Sequence, residues 1–127
     1  MIVHHLSLGT NDPSRAQRFY DAVMATLGLR LMKRRPNSEL IYGANVFLLS
    51  VVRPSDGKPA SAGHGAHIAF SAESRERVDH FHAEGLAHGG RDAGSPGVRD
   101  KYDPHYYGAF LLDPDGNKIE AVSFQAK

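Results

Sequence analysis

The sequence contains no cysteine, so disulfide bonds, thiolate metal ligands and cysteine nucleophiles are all excluded. Long apolar runs are missing as well, because no stretch approaches the roughly 20 apolar residues that span a bilayer. The first residues, MIVHHLSL, lack the charged region and the extended apolar core of a signal peptide. These absences favour a cytoplasmic protein that has no membrane partner.

An excess of charge of either sign is also lacking. The 15 Lys and Arg residues nearly balance the 14 Asp and Glu residues, which leaves a formal net charge of +1. Because no basic stripe stands out, nucleic acid is a poor candidate as a partner. A hydrophobic share of 41% in 127 residues is ordinary for one folded domain with a core of its own.

Two stretches of the chain resemble each other, and this internal repeat predicts the architecture. The segment that starts at His5, HLSLGTNDPSRAQRFYDAV, aligns with the segment that starts at His67, HIAFSAESRERVDHFHAEG. Each copy begins with a short strand, continues with a helix and ends with further strands. We therefore expect a single α+β domain over residues 1–127, with module 1 at about 1–53 and module 2 at about 64–127.

The two predicted helices have recognisable ends. Asp12 can cap the first helix, Pro13 suits its first turn and Gly28 is a natural stop. Ser74 can cap the second helix in the same way. The predicted strands cover residues 3–8, 30–33, 39–42, 45–52, 64–70, 108–112 and 118–124. Residues 92–106 contain several Gly and Pro residues and predict a long irregular loop, which could act as a lid over a binding site.

Three potential metal ligands fall on the predicted strands. Side chains alternate between the two faces of a strand, so His5 and His67 point away from the helices when their apolar neighbours pack beneath them. The same alternation turns Glu120 toward the face that carries the two imidazoles. Two histidines and one carboxylate bind Fe(II), and also Zn, Mn or Ni, with positions left open for a substrate. The sequence thus predicts one divalent metal ion at these residues, and the alternative is a metal-free cavity.

The same segments resemble a known family. HHLSLGTNDPSRAQRFYDAV, GAHIAF and FLLDPDGNKIEAV look like marker segments of the vicinal oxygen chelate superfamily, which includes glyoxalase I, extradiol dioxygenases, fosfomycin-resistance enzymes and bleomycin-resistance proteins. The resemblance covers nearly the whole chain and is greatest to a bacterial, glyoxalase-like subgroup. It implies two βαβββ modules that form a curved mixed sheet around a metal-binding cavity. His5, His67 and Glu120 fall where members of this family place metal ligands.

The resemblance also assigns residues around the cavity. Glyoxalase I has a fourth ligand, a carboxylate late in its first module, and the repeat alignment places Leu48 there with Ser50 as its neighbour on the same face. Neither residue can replace a carboxylate, and Glu39, the nearest acid, comes too early in the chain. We therefore interpret Leu48 and Ser50 as substrate-binding residues and expect three protein ligands. Ser7 occupies the position at which fosfomycin-resistance enzymes carry a substrate-activating hydroxyl.

The end of the predicted loop adds aromatic and titratable groups. His105 and Tyr106 would contact a substrate at the mouth of the cavity and serve as acid or base, beside Glu120 as the catalytic carboxylate. Packing within the loop is the alternative for both. Phe110 follows on the next strand with the parity of Tyr106 and would form an aromatic wall against the substrate.

The sequence supports two functions of different classes. One is a metal-dependent isomerase, lyase or dioxygenase whose small-molecule substrate chelates the metal through vicinal oxygens. The other is a protein of the bleomycin-resistance type, which binds or sequesters a small molecule without catalysis. Open sheet edges invite pairing between copies, so we expect a homodimer whose sites can combine residues from both chains.

Overall fold

Each half of the chain forms the same series of elements in the computed structural model, which describes residues 2–126. Module 1 contains β1 (Leu6–Gly9), α1 (Pro13–Thr26), β2 (Arg30–Arg34), β3 (Leu40–Gly43) and β4 (Phe47–Val52). Module 2 contains β5 (His67–Ser71), α2 (Arg75–Ala87), β6 (Arg91–Val98), β7 (Tyr107–Leu112) and β8 (Lys118–Ser123). The predicted α+β fold of two tandem βαβββ modules is confirmed.

The strands form two four-stranded sheets rather than one continuous sheet. The strand order is β1-β4-β3-β2 in module 1 and β5-β8-β7-β6 in module 2. In each module the first strand pairs in parallel with the last strand, and the other pairs are antiparallel. Within the described residues, β1 and β5 are therefore edge strands of their sheets.

Both helices begin where the sequence predicts. The Asp12 side chain accepts a hydrogen bond from the backbone N–H of Arg15, and Ser74 accepts one from Arg77. The two helices contact each other, and each also contacts its own sheet. Both modules contribute to the buried core, whose largest members include Phe19, Tyr20, Tyr42, Leu49, Phe81, Leu111 and Ile119. Among residues 2–126, no helix combines the length and the apolar character needed to cross a membrane.

The structure differs most from the sequence prediction at residues 92–106. The first half of this segment belongs to β6, which pairs antiparallel with β7. The register shifts between Asp92 and Gly94 and again between Gly94 and Gly97, so irregular pairing accommodates the Gly and Pro residues that predict a loop. The prediction of an irregular loop was therefore wrong for residues 92–98, which belong to β6, and residues 99–106 form the loop that remains.

Strand register also corrects the repeat alignment. Ser7 pairs with Ser50 across β1 and β4, and the corresponding residue Ala69 pairs with Glu120 across β5 and β8. Ser50, and not Leu48, is therefore the structural counterpart of Glu120. The alignment failed because β3 and β4 shift register next to their turn, whereas β7 and β8 pair without a shift. Leu48 is partly buried against the apolar core.

A polar network ties the turn before β8 to module 1. The buried Tyr20 hydroxyl donates to Asp113 Oδ2 at 2.5 Å, and Asn117 Nδ2 donates to the Gly9 carbonyl at 3.0 Å. Burial raises the pKa of the Asp113 carboxyl, and burial together with the nearby Asp113 raises the pKa of the Tyr20 phenol. Because this turn leads directly into β8, the network holds in place the strand that carries Glu120.

Candidate active site

The most distinctive group of polar side chains in module 2 is built on β5 and β8. His67 begins β5, and Glu120 lies in the middle of β8, where it pairs with Ala69. The imidazole Nε2 of His67 is 3.2 Å from Glu120 Oε1. The Glu120 side chain is only 1% exposed, whereas that of His67 is 42% exposed. A buried carboxylate next to an accessible imidazole forms a two-donor site that opens toward solvent.

Tyr106 completes the contacts of the buried carboxylate. Its hydroxyl donates to Glu120 Oε2. Burial and then this hydrogen bond to Glu120 raise the pKa of Tyr106 to about 12. Gly108 leaves the space for this arrangement, because a Cβ there would lie 2.9 Å from Glu120 Oε2 and 3.1 Å from the Tyr106 ring. The phenol therefore stays protonated at neutral pH and acts as a hydrogen-bond donor.

A cavity of about 340 Å³ adjoins this group. It is lined by His67, Tyr102, Tyr106, Phe110, Lys118 and Glu120. The ring centroid of Phe110 is 5.8 Å from that of His67 and 4.8 Å from Lys118 Nζ. The cavity thus combines aromatic walls with one cation and one carboxylate, which suits a small polar molecule with an apolar part.

His5 lies apart from the His67–Glu120 pair. Its exposed ring stacks on Phe47 with 4.1 Å between centroids, and its Nδ1 is 2.8 Å from Nδ1 of His4. Within residues 2–126, no three His, Cys, Asp or Glu side chains converge in a geometry that could hold a metal ion. One chain by itself therefore does not assemble the predicted set of His5, His67 and Glu120, because His5 directly precedes β1 of one sheet whereas His67 begins β5 of the other.

The remaining predicted site residues lie in three places. Ser7 shares a cleft of about 220 Å³ between β1 and β5 with His67 and Lys118. Ser50 is buried in β4, and its hydroxyl donates to Glu39 Oε2 at 2.6 Å. His105 is exposed in the loop, where its backbone N–H donates to Asp103.

Sequence reasoning missed Lys118 as a residue of the cavity. Lys118 and Glu120 are two positions apart on β8, so strand alternation alone places both side chains on the same face. Tyr102 was also missed as a wall residue, since its position in a loop carries no strand parity.

Comparisons with known proteins agree with this fold. The sequence model of the Glyoxalase/Bleomycin resistance protein/Dioxygenase superfamily matches residues 2–121. The crystal structure of a glyoxalase/bleomycin resistance protein from Albidiferax ferrireducens T118 is 36% identical, with a TM-score of 0.86 over 97% of this chain and 98% of that one. No curated protein matches the sequence.

Two more distant structures share the fold. Lactoylglutathione lyase from Agrobacterium tumefaciens is 18% identical, with a TM-score of 0.63 over 95% of this chain and 92% of that chain. The fosfomycin resistance protein FosX from Mesorhizobium loti is 16% identical, with a TM-score of 0.67 over 95% and 90%. At such identities the likeness establishes a common fold and leaves the chemistry to the residues of the site.

Proposed function

The chain belongs to the Glyoxalase/Bleomycin resistance protein/Dioxygenase superfamily, and from this premise we propose that it is a metal-dependent enzyme whose small-molecule substrate carries vicinal oxygens. The observation that carries the proposal is the pair of His67 and the buried Glu120 at the wall of a cavity of about 340 Å³. An imidazole nitrogen and a carboxylate oxygen are donors that Zn, Fe, Mn and Ni accept.

The two donors of one chain fit a metal ion but leave its ligand set incomplete. A second copy of the chain would supply the third donor, His5, which is exposed. Three exposed apolar residues lie close in sequence to His5 or to Phe47, on whose ring His5 stacks: Ile2, Val3 and Val46. Exposed apolar groups of this kind favour an interface. We therefore place the proposed site between two chains of a homodimer.

The chain's own residues account for binding and proton transfer. A divalent ion held by His67, Glu120 and the partner's histidine would act as a Lewis acid on the two substrate oxygens. Tyr106, with its raised pKa, keeps its proton and orients Glu120 through Oε2. Glu120 is then the group placed to accept a substrate proton. His105 is exposed outside the lining of the cavity described above, so the proposed proton transfer rests on Glu120, which Tyr106 orients.

Binding without catalysis is the second candidate, and one observation favours it. Both oxygens of Glu120 have hydrogen-bond partners within the chain, one in His67 and one in Tyr106. A chain that uses the aromatic cavity only to hold a small molecule would need no further donor. Metal affinity separates the two functions.

The test is to measure metal binding by protein purified without an affinity tag. Elemental analysis of the purified protein comes first, followed by calorimetric titration with Zn²⁺, Mn²⁺, Ni²⁺ and anaerobic Fe²⁺. We expect wild-type protein to bind at least one of these ions well below millimolar concentration. His67→Ala and Glu120→Gln should lose most of that affinity, because each removes one of the two donors that a chain provides in module 2.

The matched control is His80→Ala, which removes an exposed histidine on α2. It should bind metal like the wild type. If the wild type binds none of the four ions with better than millimolar affinity, about 4 kcal/mol, the enzyme proposal fails and the binding protein remains.

A further inference from the structure

Lys118 lies beside both proposed metal donors of module 2. It begins β8, where it pairs with His67 on β5 and precedes Glu120 by two positions. Neighbouring strands lie about 4.7–4.9 Å apart, and two steps along a strand cover roughly 6.5 Å. One small molecule can therefore contact the Lys118 side chain and both donors. Ile119, between Lys118 and Glu120, belongs to the buried core on the other face.

Three cavities share Lys118 and His67 as lining residues. They are the cavity of about 340 Å³ with aromatic walls, the cleft of about 220 Å³ between β1 and β5, and a third cavity of about 360 Å³ beside residues 62–66. A ligand in any of them therefore lies close to the Lys118 side chain. In ligand sites, a few polar groups among apolar walls fix the orientation and the specificity of binding.

The charge of Lys118 has no protein counterion in the described part of the chain. Among residues 2–126, no carboxylate forms an ion pair with its ammonium group. Glu120, on the same face of β8, contacts His67 and Tyr106 instead. The Lys118 Nζ lies 4.8 Å from the centroid of the Phe110 ring, and this cation–π contact holds the ammonium group at the wall of the cavity.

Arg99 is a second cation near Phe110, but its contacts differ. Its guanidinium carbon lies 5.8 Å from the ring centroid, and its Nη2 donates to the Ser95 carbonyl at 2.7 Å. Arg99 does not line the aromatic cavity, whereas Lys118 does. Lys118 is therefore the lysine or arginine that a ligand in this cavity would meet.

We infer that Lys118 binds an acidic group of the substrate, which is then a small organic acid, a carboxylate or a phosphate ester, with an apolar body as well as its vicinal oxygens. The inference rests on the proposed function, which assigns the vicinal oxygens to the metal ion. A divalent ion next to one carboxylate and one ammonium group leaves this region positive, and a bound anion balances that charge. The rings of Tyr102, Tyr106 and Phe110 contact the apolar body.

The experiment compares probes of similar shape that differ in charge. Benzoate and phenyl phosphate carry an oxyanion on an aromatic ring, and benzamide is the neutral counterpart of benzoate. Each probe is titrated into isotope-labelled full-length protein, and NMR shifts of the backbone amides give both the affinity and the place of binding. The titrations use protein as purified and again protein treated with a chelator, in which no probe can bind directly to a metal ion.

Wild-type protein should bind benzoate about tenfold more tightly than benzamide in both preparations, as expected for a hydrogen bond between charged groups. Lys118→Gln should abolish this preference while the affinity for benzamide barely changes, and Lys118→Arg, which retains a cation, should keep most of it. Lys58→Gln removes an exposed lysine between the modules and should behave like the wild type. The order of benzoate and phenyl phosphate then shows whether the acid is a carboxylate or a phosphate ester.

The outcomes separate this inference from the proposed function. If wild-type protein binds benzamide as tightly as benzoate, or binds neither acid at millimolar concentration, the inference is overturned, and metal binding still decides the proposed function. A preference for benzoate that survives in Lys118→Gln would equally overturn it. If the protein binds no metal ion but prefers benzoate through Lys118, the enzyme proposal falls, and Lys118 remains the residue with which a binding protein holds its acidic ligand.

Discussion

At the scale of single residues, the burial of Glu120 determines what the site can do. A carboxylate that is 1% exposed loses its water and needs donors in return. His67 supplies one on Oε1 and Tyr106 supplies the other on Oε2. The His67 imidazole is accessible to solvent and can rotate to bind a ligand. The Tyr106 phenol stays protonated and donates a hydrogen bond to Glu120. Tyr106 is therefore the residue at which orientation and packing can be separated by experiment.

Tyr106→Phe keeps the ring and removes the hydroxyl. Because Glu120 Oε2 loses its donor, we expect metal affinity or turnover to fall by about 10-fold. The thermal midpoint should barely move, since the ring and its contact with Phe124 remain. Tyr102→Phe, on the same cavity wall, is the matched control and should leave metal affinity unchanged. A midpoint lowered by several degrees with unchanged metal affinity would identify Tyr106 as a packing residue.

The same variant has a pH signature. The pKa of Tyr106 is raised to about 12 in the folded protein, above the usual value of about 10. A raised pKa means that this hydroxyl stabilises the fold fully below about pH 10 and loses that contribution as the pH rises toward 12. Spectroscopic titration of tyrosine should therefore show a late component in the wild type that Tyr106→Phe lacks.

At the scale of strands, the absence of a side chain at Gly108 on β7 leaves space for the Glu120 side chain on the neighbouring strand β8. Gly108→Ala would place a methyl group against Glu120 Oε2 and the Tyr106 ring. We expect a loss of about 1–3 kcal/mol in the free energy of unfolding, together with weaker metal binding, measured by denaturant titration and chelator competition. Gly97→Ala is the matched control, because Gly97 pairs with Gly108 and its new Cβ would meet the flexible end of Arg99. Equal effects of the two substitutions would contradict this account.

The elements also show how far sequence reasoning reaches. The repeat and the helix caps at Asp12 and Ser74 predicted both modules, because these signals depend on local chemistry and on hydrophobic periodicity. β6 was missed because Gly94 and Pro96 are typical of loops, and only pairing with β7 makes them part of a strand. The counterpart of Glu120 was misplaced because a register shift between β3 and β4 has no local signature.

At the scale of the whole molecule, the separation of His5 from His67 makes assembly part of the proposed function. Under the proposed function, each chain would contribute His5 from module 1 to one site and His67 with Glu120 from module 2 to the other. In a twofold dimer, His5 of each chain would face His67 and Glu120 of the other. Two copies would then form two identical sites. Because each site would combine residues of both chains, a substitution in one chain would change a site that the other chain also forms. Light scattering at micromolar concentration should therefore give the mass of a dimer.

Mixing two defective variants tests this assembly more sharply than mass alone. His5→Ala and His67→Ala should each be dimeric and bind little metal, because every site of either homodimer lacks one histidine. If the chains exchange at random, half of the dimers become mixed, and each mixed dimer regains one intact site. Metal binding should then return to about a quarter of the wild-type capacity, measured by chelator competition after co-refolding. His80→Ala mixed with His67→Ala is the control, and it should gain binding only in proportion to its own intact sites. The mixture of His5→Ala and His67→Ala could instead bind no more metal than either variant alone, even though mixed dimers form. In that case the site does not span two chains, and the proposed role of His5 fails.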